Sequence, residues 1–333
     1  MAHHRRARLF SVVTAAAAAL LVLLSVGTAR LAAALSPDGK ALLSLLPGAA
    51  PSPVLPSWDP KAATPCSWQG VTCSPQSRVV SLSLPNTFLN LSSLPPPLAT
   101  LSSLQLLNLS TCNISGTIPP SYASLSALRV LDLSSNALTG DIPDELGALS
   151  GLQFLLLNSN HLTGGIPRSL ANLSALQVLC VQDNLLNGTI PASLGALTAL
   201  QQFRVGGNPA LSGPIPASLG ALSNLTVFGA AATALSGPIP EEFGSLVNLQ
   251  TLALYDTSVS GSIPTALSGC IELRNLYLHM NKLTGPIPPE LGRLQKLTSR
   301  TAMEEKSREL DPFVAPVLSV PIAIVKGKER REG

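Results

Sequence analysis

"LRVLDLSSNALTGDIPDELGALS" runs from residue 128 to residue 150. Around Leu131 and Leu133 apolar and polar residues alternate with period two. That is the pattern of a short strand with its leucines inward and Val130, Asp132 and Ser134 outward. Asn136 follows, and its side-chain amide can satisfy turn backbone groups. Gly140 then permits a tight bend, and Ile142-Pro143 directs the chain along the opposite side as an extended edge rather than a helix, because proline cannot donate to a ladder. A unit this short cannot bury its own leucines, so it needs a copy of itself on either side.

The copies are present. Aligned on the bend glycine, they place Gly116, Gly140, Gly164, Gly188, Gly213, Gly237, Gly261 and Gly285 at intervals of 24, 24, 24, 25, 24, 24 and 24 residues. Asn136 has counterparts at Asn160, Asn184, Asn208 and Asn281, and Cys112, Thr233 and Thr257 replace it in three repeats. The consensus LxxLxLxxNxLxGxIPxxLxxLx is the leucine-rich repeat pattern. The expected fold is therefore an α/β curved solenoid of plant-type 24-residue repeats whose strands form a parallel sheet on the concave side.

The ends of such a stack must be covered. At the N-terminal end "SPDGKALLSLL" reads as a short helix capped by Ser36 or Asp38, and "PSWDPKAATPCSWQGVTC" leads into an edge strand at Val79 to Leu84. Cys66 and Cys73, close in sequence beside a tryptophan, read as a disulfide, which makes this a helical and disulfide-bonded cap. Cys112, Cys180 and Cys270 are isolated, without histidine or carboxylate neighbours at ligand spacing, so they read as buried small hydrophobes, with no metal site. At the other end the repeat stops after Leu297. The leucine face of Leu276, Leu278 and Leu283 is expected to be exposed unless the apolar stretch Pro312 to Val325 packs loosely over it.

The expected organisation is a signal peptide over 1–34, a cap over 35–77, a capping strand and degenerate repeat over 78–103, eight repeats and the start of a ninth over 104–298, and a non-repeat tail over 299–333. The N-terminus has the basic start, apolar run and small-residue ending of a secretory signal, with Ala34 as the favoured last residue; an uncleaved membrane anchor is the alternative. Sequons at Asn90, Asn108, Asn113, Asn172, Asn187 and Asn224 fit an extracellular chain. Charged residues are 12% of the 333, and the net charge is +3 with no basic stretch interleaved with aromatics, which argues against nucleic acid as a partner. No cofactor motif is present, and nothing assembles an acid, a base and a nucleophile, so no catalytic residue is assigned.

One repeat departs from the others. At 203–208 it reads "FRVGGN", putting Arg204 where other repeats carry Asp132, Leu156, Cys180, Gly229, Ala253 or Tyr277. An outward arginine offers a planar fork of donors suited to sulfate, phosphate or carboxylate. Gly206 and Gly207 would let a ligand approach the backbone and meet bare N–H groups. The alternative is that the glycines accommodate the inserted residue near Pro209 and that Arg204 is a solvated charge. Farther along, small outward residues give way to Tyr255, Tyr277 and His279, read either as a stacking surface for a ligand or as ordinary exposed strand residues.

The signal, the cap "ALLSLL…W…CSWQGVTC" and the 24-residue units with GxIP resemble the extracellular half of plant leucine-rich repeat receptor-like kinases, over about residues 35–298. More narrowly, "FRVGGN" with "LSGPIPASLGALSNLTVFGAAATALSG" resembles the root meristem growth factor receptors. That resemblance implies that Arg204, Val205, Gly206 and Gly207 form an R-x-G-G motif recognising the sulfated tyrosine of a small secreted peptide. It also implies a co-receptor kinase as a further partner and a location at the plasma membrane. Such receptors carry about twice as many repeats, a second arginine-containing motif, a membrane helix and a kinase; this sequence shows none of them and reads as a truncated form. The leading expectation is a noncatalytic peptide-binding ectodomain. A defence-type inhibitor of microbial cell-wall enzymes and a non-functional remnant are the alternatives.

Overall fold

The computed structural model describes residues 34–46 and 53–298. The signal segment expected over 1–34, apart from its final residue, and the tail over 299–333 therefore lie outside the described residues.

Each repeat contributes one three-residue strand to a ten-stranded sheet that follows chain order from the cap to Asn275–Tyr277. All neighbours are parallel except the first pair, in which Val71–Cys73 runs antiparallel to Val79–Ser83. This corrects the sequence expectation: Val79 does not begin an edge strand. The Cys66–Cys73 disulfide, with Cα atoms 5.5 Å apart, anchors an outer strand that covers it. Inward leucines such as Leu107, Leu131, Leu155 and Leu179 are fully buried, and the alternation read from the sequence fixes which side each residue faces.

The buried asparagines stitch neighbouring repeats. Asn208 is 0% exposed. Its Oδ1 accepts from Leu186 N at 2.9 Å, and its Nδ2 donates to Val181 O at 3.1 Å and Val205 O at 2.8 Å. Asn160 and Asn184 repeat this geometry. The amide thus satisfies turn groups in its own repeat and in the one before.

The Ile-Pro step is extended, as expected, with Pro143 at φ −62° and ψ 131°. A one-turn 3-10 helix follows at once, Asp144–Ala148 in this repeat and equivalents in the others. The sequence reading did not give these turns. Proline at the cap position leaves the next residues free to tighten into i to i+3 bonds, which bury Leu146 beneath the opposite face.

In the cap, Ser36 rather than Asp38 terminates the helix Pro37–Leu43, accepting from Gly39 N. Asp38 is buried and instead pairs with Arg78 at 3.0 Å while accepting the Val79 N–H at 2.8 Å, which ties the helix to the sheet. Trp58 and Trp68 stack at 5.0 Å. At the far end, Leu276 and Leu278 are 3% and 1% exposed, so the expected bare leucine face is not found. Leu291, Leu294 and Leu297, in and after the last 3-10 turn, pack into the same core; only Leu283 of the three stays half-buried.

Candidate functional site

The concave face carries two parallel rows of outward side chains. One runs Asp132, Leu156, Cys180, Arg204, Gly229, Ala253, Tyr277, in the register shown by Arg204 pairing with Cys180 and Gly229. The second, two residues on, runs Gln182, Gly206, Ala231, Tyr255, His279. Where the rows pass Gly206, Gly229, Ala231 and Ala253 they carry no side chain larger than a methyl, and a shallow cleft opens. Arg204 flanks it, Gln182 and Asp183 form its rim toward the N-terminal repeats, and Tyr255 closes the opposite rim.

Each of these features has a local cause. Arg204 lies between Phe203 and Val205, both fully buried, so period two points it outward. Phe203 packs on Phe228 at 5.7 Å and Phe228 on Phe243 at 5.6 Å, which puts a rigid aromatic layer under the cleft. A Cβ at Gly229 would sit 3.9 Å from Arg204 Cγ, so glycine there leaves the flank of the arginine stem open.

The two glycines act differently from the sequence expectation. Their N–H groups are not bare: Gly206 N donates to Gly229 O at 3.2 Å and Gly207 N to Ala231 O at 2.9 Å. Nor do they serve the inserted residue, since the register shift falls later, between Asn208 and Ser212. Gly207 has φ +64°, but Ser135, Ser159, Asp183, Ala232, Asp256 and Met280 adopt the same left-handed conformation in their repeats. What sets Gly207 apart is space, because a Cβ there would fall 2.2 Å from Asp183 Oδ1. A Cβ on Gly206 would fall 2.8 Å from Ala231 O, so glycine lets adjacent strands close up beneath the cleft.

The structure brings Tyr255, Tyr277 and His279 together. Tyr255 stacks on His279 with ring centres 4.8 Å apart and meets Tyr277 edge to face at 6.5 Å. On the other side of Arg204, Leu156, Val178 and Cys180 form a second small apolar cluster, with Phe154 packed on it. Burial pushes the Cys180 thiol up to about 12, against the pull of the Arg204 cation. Cys180 is buried as the sequence led one to expect, but sequence reasoning missed the cluster because Phe154, Leu156 and Val178 looked like ordinary strand residues. Gln182 was also missed; its only signal was its place two residues after Cys180.

Asp132, farther along the row, accepts from Ser134 N at 3.0 Å and Ser134 Oγ at 2.6 Å. Burial raises its carboxyl above the usual range, partly offset by these bonds. Asn108 holds the equivalent place with the same two bonds from Ser110 and is half-buried, whereas the sequon residues Asn90, Asn113, Asn172, Asn187 and Asn224 are exposed. Cys112, Cys180 and Cys270 are all buried, and no cluster of metal-ligating side chains occurs among the described residues.

Family models agree with this architecture. A leucine-rich repeat region matches residues 79–235, a leucine-rich repeat N-terminal domain residues 35–74, and a further leucine-rich repeat residues 272–294. This chain is a leucine-rich repeat protein. It is homologous to plant leucine-rich repeat receptor kinases. Over 85 residues it is 65% identical to the LRR receptor-like serine/threonine-protein kinase RGI5 of Arabidopsis thaliana, a match covering 25% of this chain and 8% of that protein. The solved plant peptide hormone receptor RGFR1, in complex with RGF2, superposes with TM-score 0.66 at 42% identity, covering 70% of this chain and 36% of that one. The Arabidopsis receptor kinase HAESA, in complex with the peptide hormone IDA and the co-receptor SERK1, superposes with TM-score 0.72 at 35% identity, covering 79% and 45%. The leucine-rich repeats thus span less than half the length of these relatives and have the form of a receptor ectodomain. Among the described residues no helix is long and apolar enough to cross a membrane.

Proposed function

We propose that this chain is the ligand-sensing part of a plant peptide receptor, extracellular and noncatalytic, and that it binds a small secreted peptide across its concave face. The peptide presents an anionic side chain, a tyrosine sulfate, to Arg204. Its backbone lies over the cleft of small residues and continues toward Tyr255, Tyr277 and His279. A co-receptor leucine-rich repeat kinase is the further partner this reading implies.

The observation that carries the reading is the cleft itself: an outward arginine beside a patch where Gly206, Gly229, Ala231 and Ala253 remove every obstructing side chain. A planar guanidinium at such a place suits a tetrahedral oxyanion. Support also comes from the solved relatives, whose ectodomains are seen with peptide hormones. Three strand intervals separate Arg204 from Tyr277. At about 4.8 Å each they span about 15 Å, room for about five extended residues. The anion contact is worth on the order of 1–3 kcal/mol at a partly exposed site.

Calorimetry with a tyrosine-sulfated synthetic peptide and its unsulfated twin tests this. The wild-type chain should prefer the sulfated form, Arg204→Ala should lose the preference, and added salt should erode it. Equal affinity for the two forms, or undiminished discrimination by the alanine variant, refutes the reading.

A further inference from the structure

Among the described residues the concave sheet ends at Asn275–Tyr277, a strand with a neighbour on one side only. Elsewhere each repeat donates to the next: Leu254 N bonds to Tyr277 O and Asp256 N to His279 O. The Leu278 and Met280 N–H groups stand at the equivalent places and have no acceptor among the described residues. Beside them lies an apolar hollow of about 270 Å³, lined by Ile263, Leu276, Ile287, Leu291 and Leu297 together with neighbouring prolines. Ile287 is 50% exposed, whereas Ile142, Ile166, Ile190 and Ile263, at the same place in earlier repeats, are 3–4% exposed. Leu283 is half-buried where Leu138, Leu162 and Leu235 are fully buried. In a stacked solenoid the following repeat seals such positions, so this end lacks one strand and its apolar side chains.

The continuous sequence does not supply that strand. Thr298 N donates to Arg274 O at 2.9 Å, as Arg274 N does to Gln250 O, so the repeat frame holds through Thr298. Carried on, the frame puts Arg300 and Ala302 at the places of Leu276 and Leu278. A guanidinium at a core position without a counter-charge is costly. After 18 further residues the pattern returns. Residues 317–325, which lie outside the described residues, read "VLSVPIAIV". Aligning Leu318 with Leu276 also aligns Val320 with Leu278, Val325 with Leu283 and Gly327 with the bend glycine Gly285. Pro321 then takes the place of His279, where a carbonyl accepts from the preceding repeat, so the missing N–H of proline is not needed for that bond. Ala323 takes the asparagine position, which Cys112 shows can lack an amide. The intervening 299–316 holds seven charged residues in 18, a composition suited to a solvated loop, and the entropy of closing a loop rises only slowly with its length.

We propose that residues 317–325 complete a ninth repeat. They pair parallel to Asn275–Tyr277, with Ser319 O and Pro321 O accepting from Leu278 N and Met280 N. Leu318, Val320 and Val325 fill the hollow beside Leu276, Leu283 and Ile287, and 299–316 loops out between the two halves of the repeat. A second copy of the chain is the poorer occupant, because it would present the same open edge and the same empty hollow, with no side chains to fill either. This inference is independent of the anion reading of Arg204.

Hydrogen exchange of the full purified chain, read by mass spectrometry on peptides covering 276–283, tests it. The Leu278 and Met280 amides should exchange at least about tenfold faster in Val320→Asp than in the wild type. Ser319→Asp, one residue away but outward, should leave them protected, because strand side chains alternate between faces. Cross-linking gives a second readout that does not depend on the stability of the aspartate variants. Tyr277→Cys combined with Ser319→Cys should form a disulfide under mild oxidation, since both side chains face the concave side on neighbouring strands. Tyr277→Cys combined with Val320→Cys should not, since the two face opposite sides.

Equal exchange in the wild type and Val320→Asp overturns the inference. Equal loss of protection in the two aspartate variants also overturns it, being the mark of apolar packing without a register. Protection that appears only at high protein concentration assigns the edge to a second copy and has the same consequence. A Ser319→Cys variant that cross-links no better than Val320→Cys likewise refutes the pairing.

Discussion

Replacing Asn208 by alanine isolates what one stitching amide contributes. Its four hydrogen bonds do not fail alike. Val181 O keeps the Asn184 amide at 3.2 Å, and Gly206 O keeps the Asp183 N–H at 2.9 Å. The Leu186 N–H and the Val205 carbonyl lose the Asn208 partner in a region where that side chain is fully buried. At about 1–3 kcal/mol for each orphaned group, the loss is roughly 2–6 kcal/mol. Threonine provides an internal comparison. In the next repeat the Thr233 hydroxyl donates to Ala230 O at 2.8 Å, matching the amide bond to Val205 O but not the bond from the preceding repeat. Asn208→Thr should therefore cost about half as much, since one group rather than two is left unpaired. Equilibrium urea unfolding of the purified chain, followed by far-ultraviolet circular dichroism, measures both variants. A loss below about 1 kcal/mol for alanine, or a threonine variant as unstable as alanine, would refute the assignment of the amide as the inter-repeat stitch.

Asp132→Asn should stabilise the chain at neutral pH, because burial raises the folded carboxyl and Asn108 shows that an amide can accept the same two serine bonds. A raised folded value means that the Asp132 contribution is fully present below the ordinary aspartate range and is lost as pH rises through the folded value. The gain should accordingly vanish in acid, and a melting-temperature difference that does not change with pH would contradict this. Iodoacetamide should leave Cys112, Cys180 and Cys270 unmodified in the native chain and label all three in denaturant, with Cys66 and Cys73 reacting only after reduction; mass spectrometry reads both steps. Asp38→Ala should loosen the cap, since it strips the Val79 N–H of its acceptor, and limited proteolysis should then cut near the helix before it cuts in the repeats.

By itself the sequence determined most of what depends on short-range pattern, the 3-10 turns after each Ile-Pro step excepted. A 24-residue period, an alternation of two around each leucine pair and an asparagine at a fixed offset leave one arrangement that buries the leucines. The sheet, the inward and outward assignment of Arg204, Tyr255, Tyr277 and His279, and the Cys66–Cys73 bond were therefore all legible. Tertiary structure decided what depends on the distance between one repeat and the next. The Gly206 and Gly207 N–H groups are taken by Gly229 O and Ala231 O, a fact set by strand spacing rather than by the residues themselves. Outward residues such as Leu156 and Val178 are buried, because side chains of adjacent repeats pack on one another along the face. Asp38 turns from its own helix to Arg78, forty residues away in the chain, and the Val71–Cys73 strand covers Val79–Ser83 where the sequence showed an edge. The cleft belongs to this second class. No single repeat contains it, and it exists only because Gly206, Gly229, Ala231 and Ala253, from three successive repeats, fall side by side once the repeats are stacked.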